Sequence, residues 1–390
     1  MRRMTFDVVV VGAGPAGALS ALLLARAGAN VALLDRERFP RDKPCGEFLT
    51  PGAAQLLERH GIWPASARPV PGMAVYSVHR AFAHRPCGGG PAGWMARRSD
   101  LDARLVEAAD SAGARVRQGL AVRGLLRDGD SVVGVATAEG ELRARLVIGA
   151  DGAHSRVARH LGLVRAVPGL QRVAVVTRWR GVEPPELLEM RARAGAVCGI
   201  GPLGADSLNL TLVERTGLAA RIAGRAGDFL VERTRTLWPD LAERLAGGRR
   251  ESVRTIGCFG HFCRRASAPG ALVAGDAAAF VDPFTGEGVY FALRGAELAA
   301  DAALEALRAG DFSAPGLAGY DRARGDLARR HLLSGCVQGV VRAPALLDRA
   351  LQALSRCPAL ADRLMGVLAD LHPPGRALSA RMALGLLLAR

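Results

Sequence analysis

Three glycine-punctuated segments, far apart in the chain, constrain its fold more than any other feature. The first is Gly12-Ala13-Gly14-Pro15-Ala16-Gly17 and the second Gly149-Ala150-Asp151-Gly152. The third is Gly275-Asp276, followed by Pro283-Phe284-Thr285-Gly286-Glu287-Gly288. Each follows a short apolar run: Asp7–Val11, Leu142–Ile148 and Ala271–Ala274. Glycine at the end of a strand permits a tight reversal and lets a ligand approach the backbone. Any one such turn is a weak signal. Three, in this order and spacing, imply one binding site assembled from distant segments of an α/β fold.

The first motif has the context that makes it informative. Asp7–Val11 is a β-branched run bounded by glycine, the pattern of a buried parallel strand. Pro15–Ala27 reads as a helix with Leu19, Leu22 and Leu23 available to a core, and Gly28 ends it. Asn30–Leu34 is a second strand with Asp35 at its carboxyl end, completing a βαβ opening. Gly12 permits the turn, Gly14 lets the backbone approach a pyrophosphate, and Gly17 lets helix and strand pack closely. The helix start, with Pro15 and Ala16, offers free N–H groups and a partial positive charge. Asp35 lies 23 residues after Gly12, where a carboxylate accepts hydrogen bonds from a ribose diol, and Arg36 beside it is a further candidate contact.

That motif serves FAD and NAD alike, and the third separates them. Gly275-Asp276 follows a buried strand, placing Asp276 to bond a ribityl chain. The turn from Pro283 through Gly286 opens a long helix at about Gly288, whose N–H groups suit the pyrimidine edge of a flavin. A helix N-terminus stabilises the negative charge of reduced flavin. Glu287 reads equally as a complement to the helix dipole and as a participant in chemistry.

The rest of the chain supplies a second layer of structure. Arg98–Ala112 is helical, Arg115–Gln118 and Ser131–Thr137 are strand-like, and Arg172–Arg180, Ala196–Ile200 and Ser207–Glu214 alternate as an antiparallel sheet would. Asp228–Leu245, Gly288–Ala309 and most of the remainder are helical. The expected class is therefore α/β. A discontinuous Rossmann-like FAD-binding domain (1–72, 96–165 and 265–330) carries an antiparallel β-sheet substrate domain (73–95 and 166–264) and a C-terminal helical region (331–390).

Composition bounds the remaining possibilities. The net charge of +15 comes almost entirely from scattered arginine, Lys43 being the one lysine, and aromatics do not interleave with it. That pattern reflects base composition better than a nucleic-acid footprint, and no nucleic-acid partner is expected. Residues 320–390 carry 11 Arg against 5 Asp, so peripheral membrane contact through Ala377–Arg390 is allowed, with packing on the protein's own body as the alternative. No stretch approaches the roughly 20 apolar residues of a membrane span, and Asp7 interrupts any signal-like start. A cytoplasmic location is expected. Seven cysteines with no CxxC pair suggest reduced thiols and no metal site.

The arrangement resembles the superfamily of single-component FAD enzymes with the p-hydroxybenzoate-hydroxylase fold. It includes aromatic monooxygenases, geranylgeranyl-type reductases and flavin-dependent halogenases. Arg98-Ser99-Asp100-Leu101-Asp102 resembles the family's helix-start motif, which implies that Arg98 contacts FAD. Asp151 matches an Asp-Gly motif used near the pyrophosphate and in handling the nicotinamide cofactor, and Asp276 matches the ribityl-binding acid. Phe39-Pro40-Arg41-Asp42-Lys43-Pro44-Cys45-Gly46-Glu47 resembles the reductase branch, where this loop runs along the isoalloxazine. The resemblance thus makes Lys43 and Cys45 the candidate catalytic residues.

The chain also departs from that family. Cys198–Gly204 stands where prenyl reductases carry an aromatic motif, and Ala279 where phenol hydroxylases commonly carry His. The resemblance implies bound FAD, NAD(P)H as a transient reductant without a domain of its own, and a hydrophobic or aromatic small-molecule substrate between flavin and sheet. The first reaction implied is hydroxylation of an aromatic or polyketide-like molecule through a C4a-hydroperoxyflavin. The second is saturation of an isoprenoid or lipid-like chain. Halogenation ranks last, because the single lysine sits in the flavin loop. Oligomeric state is not legible.

Overall fold

The computed structural model describes residues 5–167 and 169–377. Its centre is the strand Thr5–Val11, which pairs in parallel with Gly140–Gly149 on one side and Val31–Asp35 on the other. Ala271–Val273 extends the sheet beyond Gly140–Gly149, and Arg115–Gln118 extends it beyond Val31–Asp35, again in parallel. Val8, Val9 and Val10 have no exposed surface, because helices and loops cover both faces. Each such fully buried side chain contributes roughly 1.5–3 kcal/mol. The helices Pro15–Arg26, Arg98–Ser111 and Gly288–Ala309 pack into the same core.

Register explains why the three glycine motifs meet. Val11 lies opposite Gly149, and Gly149 lies opposite Val273. Three parallel strands therefore end side by side, and each hands the chain to a glycine turn at the same edge. Ligands of open α/β sheets bind outside these carboxyl ends.

A second sheet stands over that edge. Its order is Arg249–Arg250, Arg172–Arg180, Ser207–Arg215, Ala196–Gly204, Leu188–Arg193, Met73–Tyr76 and Ala81–His84, with Arg254–Phe259 also paired to Arg172–Arg180. Side chains alternate between its faces. Val173, Val175 and Trp179 pack with the helices Ala226–Leu237 and Pro239–Leu245. Ala174 and Val213 pack instead with Phe259 and with Val341, Leu347 and Leu351 of the C-terminal helices. Those helices are Gly325–Val341, Pro344–Arg356 and Pro358–Leu368.

Two expectations change in detail. The single helix expected over 228–245 is two, because Pro239 lacks an N–H and forces Trp238 to φ −140°, ψ 75°. The segment 73–95 is shared between two sheets: Gly93–Met95 leaves its neighbours to pair with Phe48–Leu49 and Arg68–Val70. The C-terminal segment considered for a lipid surface lies, beyond Ala377, outside the described residues. No described helix is long and apolar enough to cross a membrane.

Candidate active site

The glycine turns interlock through space that side chains would fill. Gly12 has φ +96°, and a Cβ there would stand 2.4 Å from the Ala150 carbonyl oxygen. A Cβ on Gly17 would stand 1.8 Å from the Gly12 carbonyl oxygen. One on Gly275, at φ +60°, would lie 2.7 Å from the Ala16 Cβ. Gly14 is different: its nearest neighbour would be the Arg41 guanidinium at 3.8 Å, so the missing side chain leaves open space. The first-turn N–H groups of Pro15–Arg26 have no intrahelical acceptors. Open backbone beside a helix N-terminus fits a pyrophosphate.

Asp35 holds this turn together. Its Oδ2 accepts the Ala13 N–H at 2.7 Å and its Oδ1 the Glu37 N–H at 2.8 Å. Arg36 is exposed and pairs with Glu37 at 3.4 Å. Asp151 caps the short helix Arg156–His160, accepting Ser155 Oγ at 2.5 Å and the Arg156 N–H at 2.6 Å. None of these three side chains lines the cavity described next, and neither do Gly12, Gly17, Gly275 and Glu287.

That cavity encloses about 1170 Å³, its open mouth included. It brings together Gly14, Pro15 and Ala16 from the first motif and Ala150 and Gly152 from the second. The third motif contributes Asp276, Pro283, Gly286 and Gly288, and Lys43, Cys45 and Arg98 join them. Burial lowers the Lys43 pKa and the charge of Arg98 lowers it further, while Asp276 and Asp102 oppose both. Burial also disfavours charge on Arg98, but Asp102 outweighs it, gripping the guanidinium with two hydrogen bonds of 2.8 Å.

The loop carrying Lys43 and Cys45 is fixed from the opposite sheet. Glu47 is buried at φ +60°, a conformation that costs roughly 1–3 kcal/mol and persists only where its surroundings impose it. Its carboxylate accepts Arg178 Nη2 at 2.5 Å, Asn209 Nδ2 at 3.2 Å and the Arg98 N–H at 3.2 Å. Asn209 Nδ2 also reaches the Cys45 carbonyl at 3.1 Å, and Arg178 pairs with Asp42 at 3.1 Å. Sequence reasoning missed Arg178 and Asn209. Their one signal is a polar side chain in a strand otherwise built of apolar alternation.

Glu287 caps the helix Gly288–Ala309 with its backbone and turns its carboxylate away from the cavity. Ser334 Oγ donates to it at 3.3 Å and Arg330 stands 3.6 Å away. Arg330 also bonds Asp370 at 2.8 Å, and Thr50 Oγ1 donates to Asp370 at 2.7 Å. Burial raises both carboxyl pKa values, the charge of Glu287 raises that of Asp370 further, and Arg330 opposes the rise in each.

The far wall of the cavity is apolar: Ala174, Val176, Ile256, Phe259, Phe280 and Val281, with Phe259 and Phe280 stacked at 4.7 Å. Thr211, Asp282 and His331 are its polar members. Burial holds the His331 pKa at about 3, leaving a neutral ring against Phe291.

A sequence profile of the family described as FAD binding domain matches residues 5–333. The chain belongs to this family. It is a flavoprotein oxidoreductase. Menaquinone reductase of Mycobacterium tuberculosis is 33% identical over 326 residues, covering 76% of each chain. Digeranylgeranylglycerophospholipid reductase 1 of Methanopyrus kandleri is 33% identical over 338 residues, covering 81% of this chain and 85% of that one. In fold, the flavin-dependent brominase Bmp2 superposes with a TM-score of 0.81 at 24% identity, over 94% of both chains. The glycine cradle and the helix start at Gly288 fit FAD, which supplies two-electron redox chemistry when bound. In this FAD-binding protein the residues supply orientation, charge and exclusion of water.

Proposed function

We propose that this protein is an FAD-dependent reductase that saturates carbon–carbon double bonds in an isoprenoid or other lipid-like chain, using NAD(P)H as a transient reductant. The observation that carries this reading is the apolar wall opposite the Lys43–Cys45 loop. Six hydrophobic side chains from the second sheet and its neighbours line it, a surface suited to an alkyl chain rather than to a hydroxylated ring. The names of the relatives, both reductases and both referring to molecules with polyprenyl chains, support it further. Gly14, Pro15 and Ala16 hold the pyrophosphate, Asp276 the ribityl chain, and the helix start at Gly288 the pyrimidine edge. Arg98 and Lys43 add positive charge beside the flavin. Cys45 lies in the loop against the ring, and the apolar wall excludes water from the reacting carbons.

The test uses the FAD-loaded chain without oxygen, reduced chemically or by NADPH, and given geranylgeraniol or menaquinone. A product carrying two more hydrogen atoms on chain carbons, not on quinone oxygens, and formed equally well with and without O2, is expected. Substrate-stimulated NADPH oxidation that stops when O2 is removed, with a hydroxylated product, would overturn the reading in favour of hydroxylation.

A further inference from the structure

Among the described residues, three carboxyls line the cavity: Glu47, Asp276 and Asp282. Glu47 is taken up by Arg178 and Asn209, and Asp276 sits near Lys43 in the third glycine turn. Asp282 stands apart, next to Val281 and Phe280 on the apolar wall, and is 8% exposed. Its Oδ1 accepts the Phe284 N–H at 2.8 Å and its Oδ2 accepts Gln338 Nε2. Gln338 Oε1 in turn accepts Arg172 Nη2 at 3.3 Å. Arg172 is 2% exposed and anchors Nη1 on the Gly195 carbonyl at 3.0 Å. A buried cation thus reaches this acid through a neutral amide and not by direct contact.

Saturating a double bond needs a hydride and a proton, and a dry apolar wall offers few sources of the second. We infer that Asp282 is the acid that delivers the proton to the substrate chain, with Gln338 and Arg172 as its positioning residues. This rests on the reductase reading. The π bond of the substrate is replaced by two C–H bonds, one formed with hydride from the reduced flavin and one with the Asp282 proton. The flavin is left oxidised by two electrons. Asp282 is left as a carboxylate, stabilised by Gln338 and the Phe284 N–H, and regains its proton from solvent before the next turnover.

The electrostatics suit that cycle. Burial pushes the Asp282 carboxyl up to about 6, against the opposing pull of Phe284, Gln338 and the Arg172 charge. The helix Gly325–Val341 presents neutral Gln338 and His331, the latter held at about 3 by burial. His261, on the strand His261–Cys263, is likewise lowered by burial, and Arg342 and Glu214 act on Arg172 rather than on Asp282. The acid form is therefore available below about pH 6 and is depleted above it.

The test compares wild type, D282N, D282E and Q338L, all FAD-loaded. Flavin absorbance follows reduction by NADPH and then anaerobic reoxidation by the polyprenyl acceptor from about pH 5 to about pH 8. In D282N, reduction is expected to be unchanged while reoxidation slows by about 100-fold or more and loses its fall with rising pH. D282E restores part of the rate. Infrared titration of the FAD-free protein gives a readout independent of turnover. A carboxyl band with a midpoint near pH 6 is expected in wild type and absent in D282N. In Q338L the lost hydrogen bond moves that midpoint upward, which keeps the inference testable where D282N fails to fold; an unmoved midpoint overturns it. Wild-type saturation undiminished in D282N, with the same pH profile, overturns the role of Asp282 alone. A wild type that saturates no polyprenyl acceptor overturns the reductase reading and this role with it.

Discussion

The two ends of the cavity are built by opposite means. At the glycine end the site is main chain. Gly12, Gly17 and Gly275 interlock because no side chain stands between them, and the ligand-facing groups are backbone N–H donors. At the start of the helix Gly288–Ala309 the scaffold is side chain. Glu287, Arg330, Asp370 and Thr50 converge from segments more than 300 residues apart and balance two buried acids against one guanidinium. Backbone sterics decide the first end. Charge balance across the whole chain decides the second. The two should therefore fail differently.

The largest effect belongs to the glycine end. Gly17→Val drives a branched side chain into a space where even a Cβ sits 1.8 Å from a carbonyl oxygen. Relief requires moving strand and helix apart, a cost on the order of 5 kcal/mol or more. Soluble yield and bound-flavin absorbance should both collapse. Wild-type flavin content in G17V would break the account of interlocked turns. Next comes Arg330→Met at the acid end. It leaves Glu287 and Asp370 buried without their cation, and urea denaturation should show a loss of about 3–5 kcal/mol. Adding Asp370→Asn to that variant removes one of the stranded acids and should recover part of the loss. No recovery would mean that packing, not charge, is what Arg330 supplies.

This contrast also decides what was legible in the sequence. Gly12, Gly14 and Gly17 announce themselves because their spacing is their function, and the strand before each turn is a local pattern. The parallel core, the antiparallel sheet and the long helix after Gly288 follow from periodicity for the same reason. Sequence leaves the role of Glu287 open between dipole and chemistry, because its partners Arg330 and Asp370 lie 43 and 83 residues away. Arg178, which locks Glu47 from across the cavity, had no spacing that could reveal it: the pair is 131 residues apart. Pro239 shows the reverse case, a local rule present in the sequence that divides one expected helix into two.

The acid end should also make stability depend on pH in a definite direction. Glu287 and Asp370 have folded-state pKa values raised by burial, so the native chain keeps protons that the unfolded chain releases above about pH 4. The contribution of these two acids to stability is then fully present below that pH and is lost as pH rises through their folded values. Each retained proton corresponds to about 1.4 kcal/mol per pH unit. Urea denaturation of wild type and D370N across this window separates the contributions: the slope should be shallower in D370N. Equal slopes would place the pH dependence elsewhere in the molecule. Gly17→Val should leave that slope in place, since Gly17 touches neither Glu287 nor Asp370.

The smallest effect tests whether the second glycine motif belongs to the main-chain end or carries a side-chain role of its own. Ser155 Oγ caps the helix Arg156–His160 by accepting the Ala158 N–H at 2.9 Å, and Asp151 supports the same turn. Ser155→Ala should cost about 1 kcal/mol, the ordinary value of an N-cap. Flavin affinity should not change, because Ser155 does not line the cavity. Asp151→Asn keeps the shape but weakens acceptance from the Arg156 N–H, which is 2.6 Å away, and should cost a similar amount. Fluorescence titration with FAD separates the two roles. Equal affinity in both variants assigns Asp151 to the fold. A selective loss in D151N returns it to the cofactor and makes the second turn, like the acid end, a place where side-chain charge matters more than main-chain shape.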